Sequence, residues 1–235
     1  MGGAVKGVVG FAMPTILISL LGAFLPPQIA LAGMMLPTLI TNAMQSLRGG
    51  RAAAIKALRQ FKVFMIAGAC TLVLAAQLYA FLPQWVLLAS IGGPVVLFCV
   101  LQIIGWRTEI REQRRAIEAG FGGVAGFIGG LSGVWGPPTV AYLTALNTDK
   151  ALQVRTQGIA FGLGTLLLMA AHGPSGVVRA DTMTFSAALC IPGVLGMWVG
   201  LAVQDRINQQ TFRRVTLWVL LVAGVNLLRR AWLVY

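Results

Sequence analysis

Charged residues are scarce in this sequence: they make up 10% of 235 residues, against 57% for hydrophobic residues. A soluble globular domain carries about 25% charged residues. No long polar stretch separates the apolar segments. The composition therefore excludes a separate soluble domain and predicts an all-α polytopic membrane protein embedded in a lipid bilayer.

Acidic side chains are the rarer charged class, with six Asp and Glu against eighteen Lys and Arg. All six lie in predicted loops or at the ends of apolar segments. A bound cation would ordinarily need a carboxylate within the membrane, so a cation site is disfavoured. The basic residues cluster between apolar segments, as in cytoplasmic loops, and we expect no nucleic-acid partner.

Cysteine and histidine are also few, at three and one. Cys70, Cys99 and Cys190 lie in apolar runs without a CxxC motif or a neighbouring His, which predicts small buried side chains and no metal or cofactor. Ser132 and His172 are the only plausible hydrolase pair, with no carboxylate clearly placed to orient the His, so we expect no enzyme. His172 alternatively carries a coupling proton or lies at the membrane interface.

Glycine is abundant, and it concentrates in one uncharged stretch, residues 119–146. The last glycine of this stretch is followed directly by Pro137 and Pro138. Two consecutive prolines remove two backbone donors and clash with the preceding turn. The pattern predicts two half-helices that meet at a break within residues 133–139, inside the membrane. A packing kink is the alternative, but unpaired backbone at that depth usually lines a ligand cavity.

A similar pattern occurs at the start of the chain. Gly7-x-x-Gly10 followed by Pro14-Thr15 matches residues 130–139, and Gly68 and Gly193 occupy equivalent places in later segments. The order and spacing of these matches predict an internal duplication. We expect both breaks to line one cavity.

The predicted architecture is two repeats of about four hydrophobic segments each. The first repeat is residues 1–106, the second is residues 119–235, and a connector at 107–118 joins them. Lys and Arg in the 48–62 loop and in the connector place both in the cytoplasm. The first segment of each repeat is broken or re-entrant. Re-entry is favoured because each limb is shorter than the ~20 residues needed to cross, and it makes the repeats inverted.

An anion is the ligand that these breaks favour, because the start of a half-helix presents free N–H groups and a positive dipole end. We expect it to be held mainly by neutral donors. Arg155 either counters its charge or extends to the interface, and Trp135 is either a gate or a packing residue. The candidate substrate-binding residues are Gly10, Met13, Thr15, Asn42, Gln45, Ser132, Gly133, Trp135, Gly136, Thr139, Tyr142, Arg155 and Gln157.

The two Gly-x-x-Gly…Pro motifs, together with residues 25–31, 191–200 and 212–228, resemble the sulfite exporter TauE/SafE family of membrane permeases. The resemblance covers nearly the whole chain in the same order. Phe11-Ala12-Met13 and Val134-Trp135 replace part of the richer glycine cluster usual at the breaks. The resemblance implies a multi-pass permease of the bacterial inner membrane for sulfite, organosulfonates or related small organic anions.

Two questions stay open at this point. A non-transporting membrane scaffold or assembly subunit is the alternative function, and it predicts packed helices without a central cavity. The partners expected are a small anionic substrate and the lipid bilayer, with a homo-oligomer left open.

Overall fold

In the computed structural model, residues 1–21, 24–25, 27–78, 84–104, 110, 112–132, 135–172 and 179–234 are described. These residues form eleven helices and no strand, which confirms the all-α class. The helices are α1 (Gly2–Val9), α2 (Met13–Leu21), α3 (Pro27–Leu47), α4 (Arg51–Gln60), α5 (Lys62–Leu78), α6 (Gln84–Ile103), α7 (Arg115–Ser132), α8 (Gly136–Ala145), α9 (Lys150–His172), α10 (Ala180–Arg206) and α11 (Gln209–Val234).

Both predicted breaks are present. α1 and α2 are separated at residues 10–12, and α7 ends at Ser132 before α8 begins at Gly136. At 1.5 Å per residue, α1, α2 and α8 are each far too short to cross a bilayer alone. These lengths do not decide between re-entry and crossing, since α7 has 18 residues, close to the ~20 needed to cross.

Fewer helices are clearly able to cross a membrane than the sequence predicted. Among the described residues, α10 and α11 are long and apolar enough, and a third span arises if α4 and α5, bent by 73°, are counted together. Buried polar side chains in α3 and α9, such as Asn42 and Gln157, lower the hydropathy of these two helices.

Several boundaries also differ from the prediction. The basic 48–62 loop contains the helix α4, and α11 begins at Gln209, within the polar residues 205–214. Cys99 is buried and Cys190 half-buried, but Cys70 is exposed. The prediction for Cys70 was wrong because a small apolar side chain on a membrane helix can face lipid as readily as protein.

The helices form two compact units, and each unit takes elements from both halves of the sequence. Unit 1 comprises residues 1–56 and 154–208, and unit 2 comprises residues 57–153 and 209–235. In unit 1, α10 packs against α1 and α3, and α2 packs against α3. In unit 2, α5 packs against α7, α6 packs against α11, and α8 contacts α6, α7 and α11.

A close glycine contact joins the main helix pair of unit 1. A Cβ on Gly3 would collide with the carbonyl oxygen of Gly193, and a Cβ on Gly7 would collide with that of Met197. Only glycine permits α1 and α10 to approach this closely.

The main helix pair of unit 2 has the same arrangement. A Cβ on Gly126 would collide with the carbonyl oxygen of Gly68, and one on Gly130 with that of Leu72. Gly7 and Gly130 match in the sequence motif, as do Gly68 and Gly193. The helix pairs α1–α10 and α5–α7 therefore use equivalent positions.

Candidate functional site

The break in unit 1 is a left-handed turn between two short helices. Gly10 has φ +89° and donates its N–H to the carbonyl of Lys6 at 2.7 Å, which caps α1. Ala12 has φ +75°, a conformation that costs a non-glycine residue about 1 kcal/mol. α2 then begins at Met13, and Pro14 removes one N–H from its first turn. The chain is thus strained where it changes direction, as is common at ligand sites.

Three buried glutamines satisfy the backbone carbonyls of residues 8–10 at the end of α1. Gln204 donates to the carbonyl of residue 8 at 2.9 Å, and Gln45 to that of residue 10 at 3.1 Å. Gln157, with its amide nitrogen facing the break, donates to the carbonyls of residues 9 and 10, each at 3.2 Å. Arg48 holds Gln204 by a 2.6 Å bond to its Oε1. Gln45 and Gln157 therefore hold the break in place, since their amide nitrogens donate to its carbonyls.

Lys6 is the residue at this break that the sequence analysis missed. Its side chain is 1% exposed, and its ammonium donates to Oδ1 of Asn42. Nδ2 of the same Asn42 amide has no partner among the described residues. The signal in the sequence was the position of Lys6, one helical turn before Gly10 and within an otherwise apolar segment.

Met13 and Thr15, the remaining unit 1 candidates near the break, lie in the first turn of α2. Met13 is buried, and its sulfur accepts from the Thr41 hydroxyl at 3.7 Å, although that hydroxyl is closer to the Pro37 carbonyl, at 2.6 Å. Thr15 is half-buried. The backbone N–H groups of this turn are better placed as donors than the Met13 thioether, which has no N–H or O–H.

The Arg155 side chain hydrogen-bonds to the backbone at the end of α3. Its Nε and Nη2 atoms both donate to the carbonyl of Arg48, at 2.9 and 2.7 Å, just beyond the C-terminus of α3. A guanidinium at this position satisfies a helix-end carbonyl and complements the helix dipole. This contact adds a helix-capping role to the two roles considered from the sequence.

We expect Arg155→Gln to destabilise the protein by about 1 to 2 kcal/mol, since two charge-assisted bonds to the Arg48 carbonyl are lost. Substrate affinity should be nearly unchanged. Thermal unfolding in detergent and a KM for anion uptake measure the two effects. Arg206→Gln, at an exposed site in the same unit, is the matched control. A large rise in KM with native stability would contradict the assignment.

The break in unit 2 offers fewer backbone donors than the sequence suggested. α8 begins with Gly136, Pro137 and Pro138, so only Gly136 has an N–H in the first three positions. The two prolines break the helix, but they also remove donors from its positive end. Gly133 lies outside the described residues, and Ser132 is described only as the last residue of α7.

The side chains at this second break pack closely. The Thr139 hydroxyl donates to the Trp135 carbonyl at 2.9 Å, which uses its proton within the break. Trp135 is buried against Gly129, where an added Cβ would lie 2.6 Å from the indole ring. This contact favours the packing interpretation of Trp135. Gly136 is half-buried.

Tyr142 lies in an aromatic cluster of unit 2. Its ring stacks on Phe64 and Phe121, with centroids 5.5 and 5.0 Å apart, and meets the edge of Phe61 at 6.5 Å. The side chain is fully buried, and its hydroxyl has no partner among the described residues. The surrounding phenylalanines carry no polar group that could help to bind an anion. These contacts therefore assign Tyr142 to the core of unit 2.

Glu118 is a buried acidic residue at the start of α7. Its two carboxylate oxygens accept from the Phe64 N–H at 3.0 Å and from Gln113 at 3.1 Å. The first bond caps the N-terminus of α5. The carboxylate therefore has a structural role at a helix end and does not provide a cation site at a break.

Taken with its apolar helices, this arrangement defines the class as a multi-pass membrane protein with two broken helices. The family model for the sulfite exporter TauE/SafE matches residues 1–227, so the chain belongs to this family, which is a transporter family. No curated protein and no solved structure gives a significant match.

Proposed function

We propose that the protein is a permease for a small anion such as sulfite, an organosulfonate or a related small organic anion. The observation that carries this proposal is the family match across almost the entire chain. The absence of a buried carboxylate at either break, among the described residues, also favours an anion over a cation. The alternative is a non-transporting scaffold or assembly subunit.

The structure supports a narrower set of binding groups than the candidate list from the sequence. In unit 1, we propose that the anion meets Asn42 and the first-turn amides of α2 at Met13 and Thr15. In unit 2, we propose the amide of Gly136 and the region of Thr139. Gln45, Gln157 and Arg155 then act by holding the backbone around the substrate, since their side-chain nitrogens donate to backbone carbonyls.

We also infer an internal duplication in which the repeats exchange helices. Each unit pairs the first helix of one repeat with the third hydrophobic segment of the other, α1 with α10 and α7 with α5, through the equivalent glycine contacts of Gly7 and Gly130. These contacts support the repeats 1–106 and 119–235. The inverted orientation, the bacterial inner membrane and the cytoplasmic position of residues 48–62 and 107–118 are proposed on the positive-inside argument and the family.

Flux measured in liposomes tests the proposed function. Purified protein should release or take up sulfite in a saturable manner, with an organic cation such as methylammonium not transported. No flux of sulfite, ethanesulfonate or another small anion above that of empty liposomes would contradict the proposal and favour the scaffold.

A charge at the second break should interfere with this flux. We expect Thr139→Asp to abolish anion flux, because a carboxylate beside the α8 N-terminus repels the substrate. Asparagine has nearly the same shape as aspartate without the charge, so Thr139→Asn should retain more flux than Thr139→Asp. Thr139→Ser keeps the hydroxyl that bonds to Trp135. Native rates for Thr139→Asp would place the substrate away from this break.

A further inference from the structure

Lys6 places its side-chain amine in the interior of unit 1 without a matching carboxylate. Its side chain is 1% exposed, and no acidic group lies within ion-pair distance among the described residues. The acidic residues of unit 1 are Asp181 and Asp205, near the two ends of α10, and they pair with Arg179 and Arg48. A buried ammonium without a counter-ion is strongly unfavourable.

Asn42, the hydrogen-bond partner of Lys6 among the described residues, cannot neutralise it. Asn42 offers a neutral amide oxygen, and the amide nitrogen beside that oxygen has no acceptor among the described residues. The same short region therefore holds a charged donor and an unsatisfied neutral donor. An anion with two or more separated oxygens can accept from both.

The neighbouring polar groups leave these two donors available. The amide nitrogens of Gln45 and Gln157 are bonded to the carbonyls at the end of α1. The Thr41 hydroxyl donates to the carbonyl of Pro37 at 2.6 Å. Lys6 thus lacks a charge partner and Nδ2 of Asn42 lacks an acceptor, while the buried hydroxyls of Thr38 and Thr156 in the same unit are also without a partner among the described residues.

We propose that a small oxyanion or sulfonate binds beside Lys6, accepting from its ammonium and from Nδ2 of Asn42, and that it supplies the missing counter-charge. This inference rests on the proposed function for the class of substrate. It replaces the expectation that mainly neutral donors hold the anion. A lysine binds as a compact point charge without the two parallel bonds of arginine, which suits a substrate that must be released.

Two substitutions test the proposal in opposite ways. Lys6→Met removes the charge at similar length, and Asn42→Asp places a permanent carboxylate next to Lys6. Both should weaken the stabilisation by sulfite, because one removes the anion's charge partner and the other occupies it. Neither should lower the unfolding temperature without ligand, because Lys6→Met removes the uncompensated buried charge and Asn42→Asp pairs it with a carboxylate. Lys56→Met, on the exposed side of α4, is the matched control.

The measurement is thermal unfolding of the full-length protein in detergent over a sulfite titration, with uptake in liposomes as the second readout. The native protein and Lys56→Met should show a sulfite-dependent rise in unfolding temperature. Lys6→Met should need at least about tenfold more sulfite, since a hydrogen bond to a charged group contributes a factor of ten or more. Asn42→Asp should behave in the same way.

The outcomes separate this inference from the proposed function. If Lys6→Met or Asn42→Asp keeps the native sulfite midpoint, the site beside Lys6 is wrong, while flux by the native protein still supports a permease. If Lys6→Met loses stability without ligand and keeps its sulfite response, Lys6 has only a structural role. If Lys6→Met does not fold, Asn42→Asp decides, because it retains Lys6. If the native protein neither transports nor responds to any small anion, the proposed function itself fails.

Discussion

Gly126→Ala should destabilise the protein by about 3 kcal/mol or more and separate α5 from α7. A Cβ at this position collides with the carbonyl oxygen of Gly68 and approaches the Thr71 hydroxyl. The Gly68 carbonyl is backbone and cannot rotate away, so the two helices must move apart. Chemical unfolding in detergent measures the loss.

Gly120→Ala provides the control for this experiment. It lies in the same helix, but nothing lies within 4 Å of the added Cβ. Alanine is favoured over glycine in a helix by about 1 kcal/mol, so this variant should be as stable as the native protein or more stable. Equal stability of Gly126→Ala and Gly120→Ala would show that α5 and α7 do not pack through this contact.

Gly10→Ala should abolish anion flux and lower stability by about 3 kcal/mol. Gly10 has φ +89°, which costs alanine about 1 kcal/mol. Its Cβ would also collide with the amide of Gln157, so the bonds from Gln157 to the end of α1 would be lost at about 1 kcal/mol each. Flux in liposomes and thermal unfolding measure the two effects.

Gly50→Ala separates backbone strain from the collision. Gly50 has φ +90°, almost the value at Gly10, but nothing lies within 4 Å of its Cβ position. We expect a loss of about 1 kcal/mol with flux retained. If both variants transport equally well, the bonds made by Gln157 are not needed for function.

Local sterics explain why both breaks could be predicted from the sequence. Pro137 and Pro138 cannot continue a helix whatever surrounds them, and the matching motif at Gly7–Thr15 indicated the same event earlier in the chain. The family could also be recognised from the sequence, since its motifs occur in order along the chain. The family model matches residues 1–227.

The chemistry at the breaks was harder to predict, because it depends on which groups are already hydrogen-bonded. Gln45 and Gln157 were expected to bind substrate, yet their amide nitrogens face the end of α1. Tyr142 was expected to donate its hydroxyl, yet three phenylalanine rings surround it. Lys6 received no role because its contact with Asn42 joins two helices that are separate in the sequence.

The pairing of α1 with α10 has a consequence for how the chain is made. Almost the whole sequence separates Gly3 from Gly193, whereas Gly68 and Gly126 lie much closer together along the chain. During translation, α5 and α7 can therefore associate while α10 is still unsynthesised. The glycine face of α1, and Lys6 beside it, therefore remain without their partner helix in the nascent chain until α10, one of the last helices, leaves the ribosome.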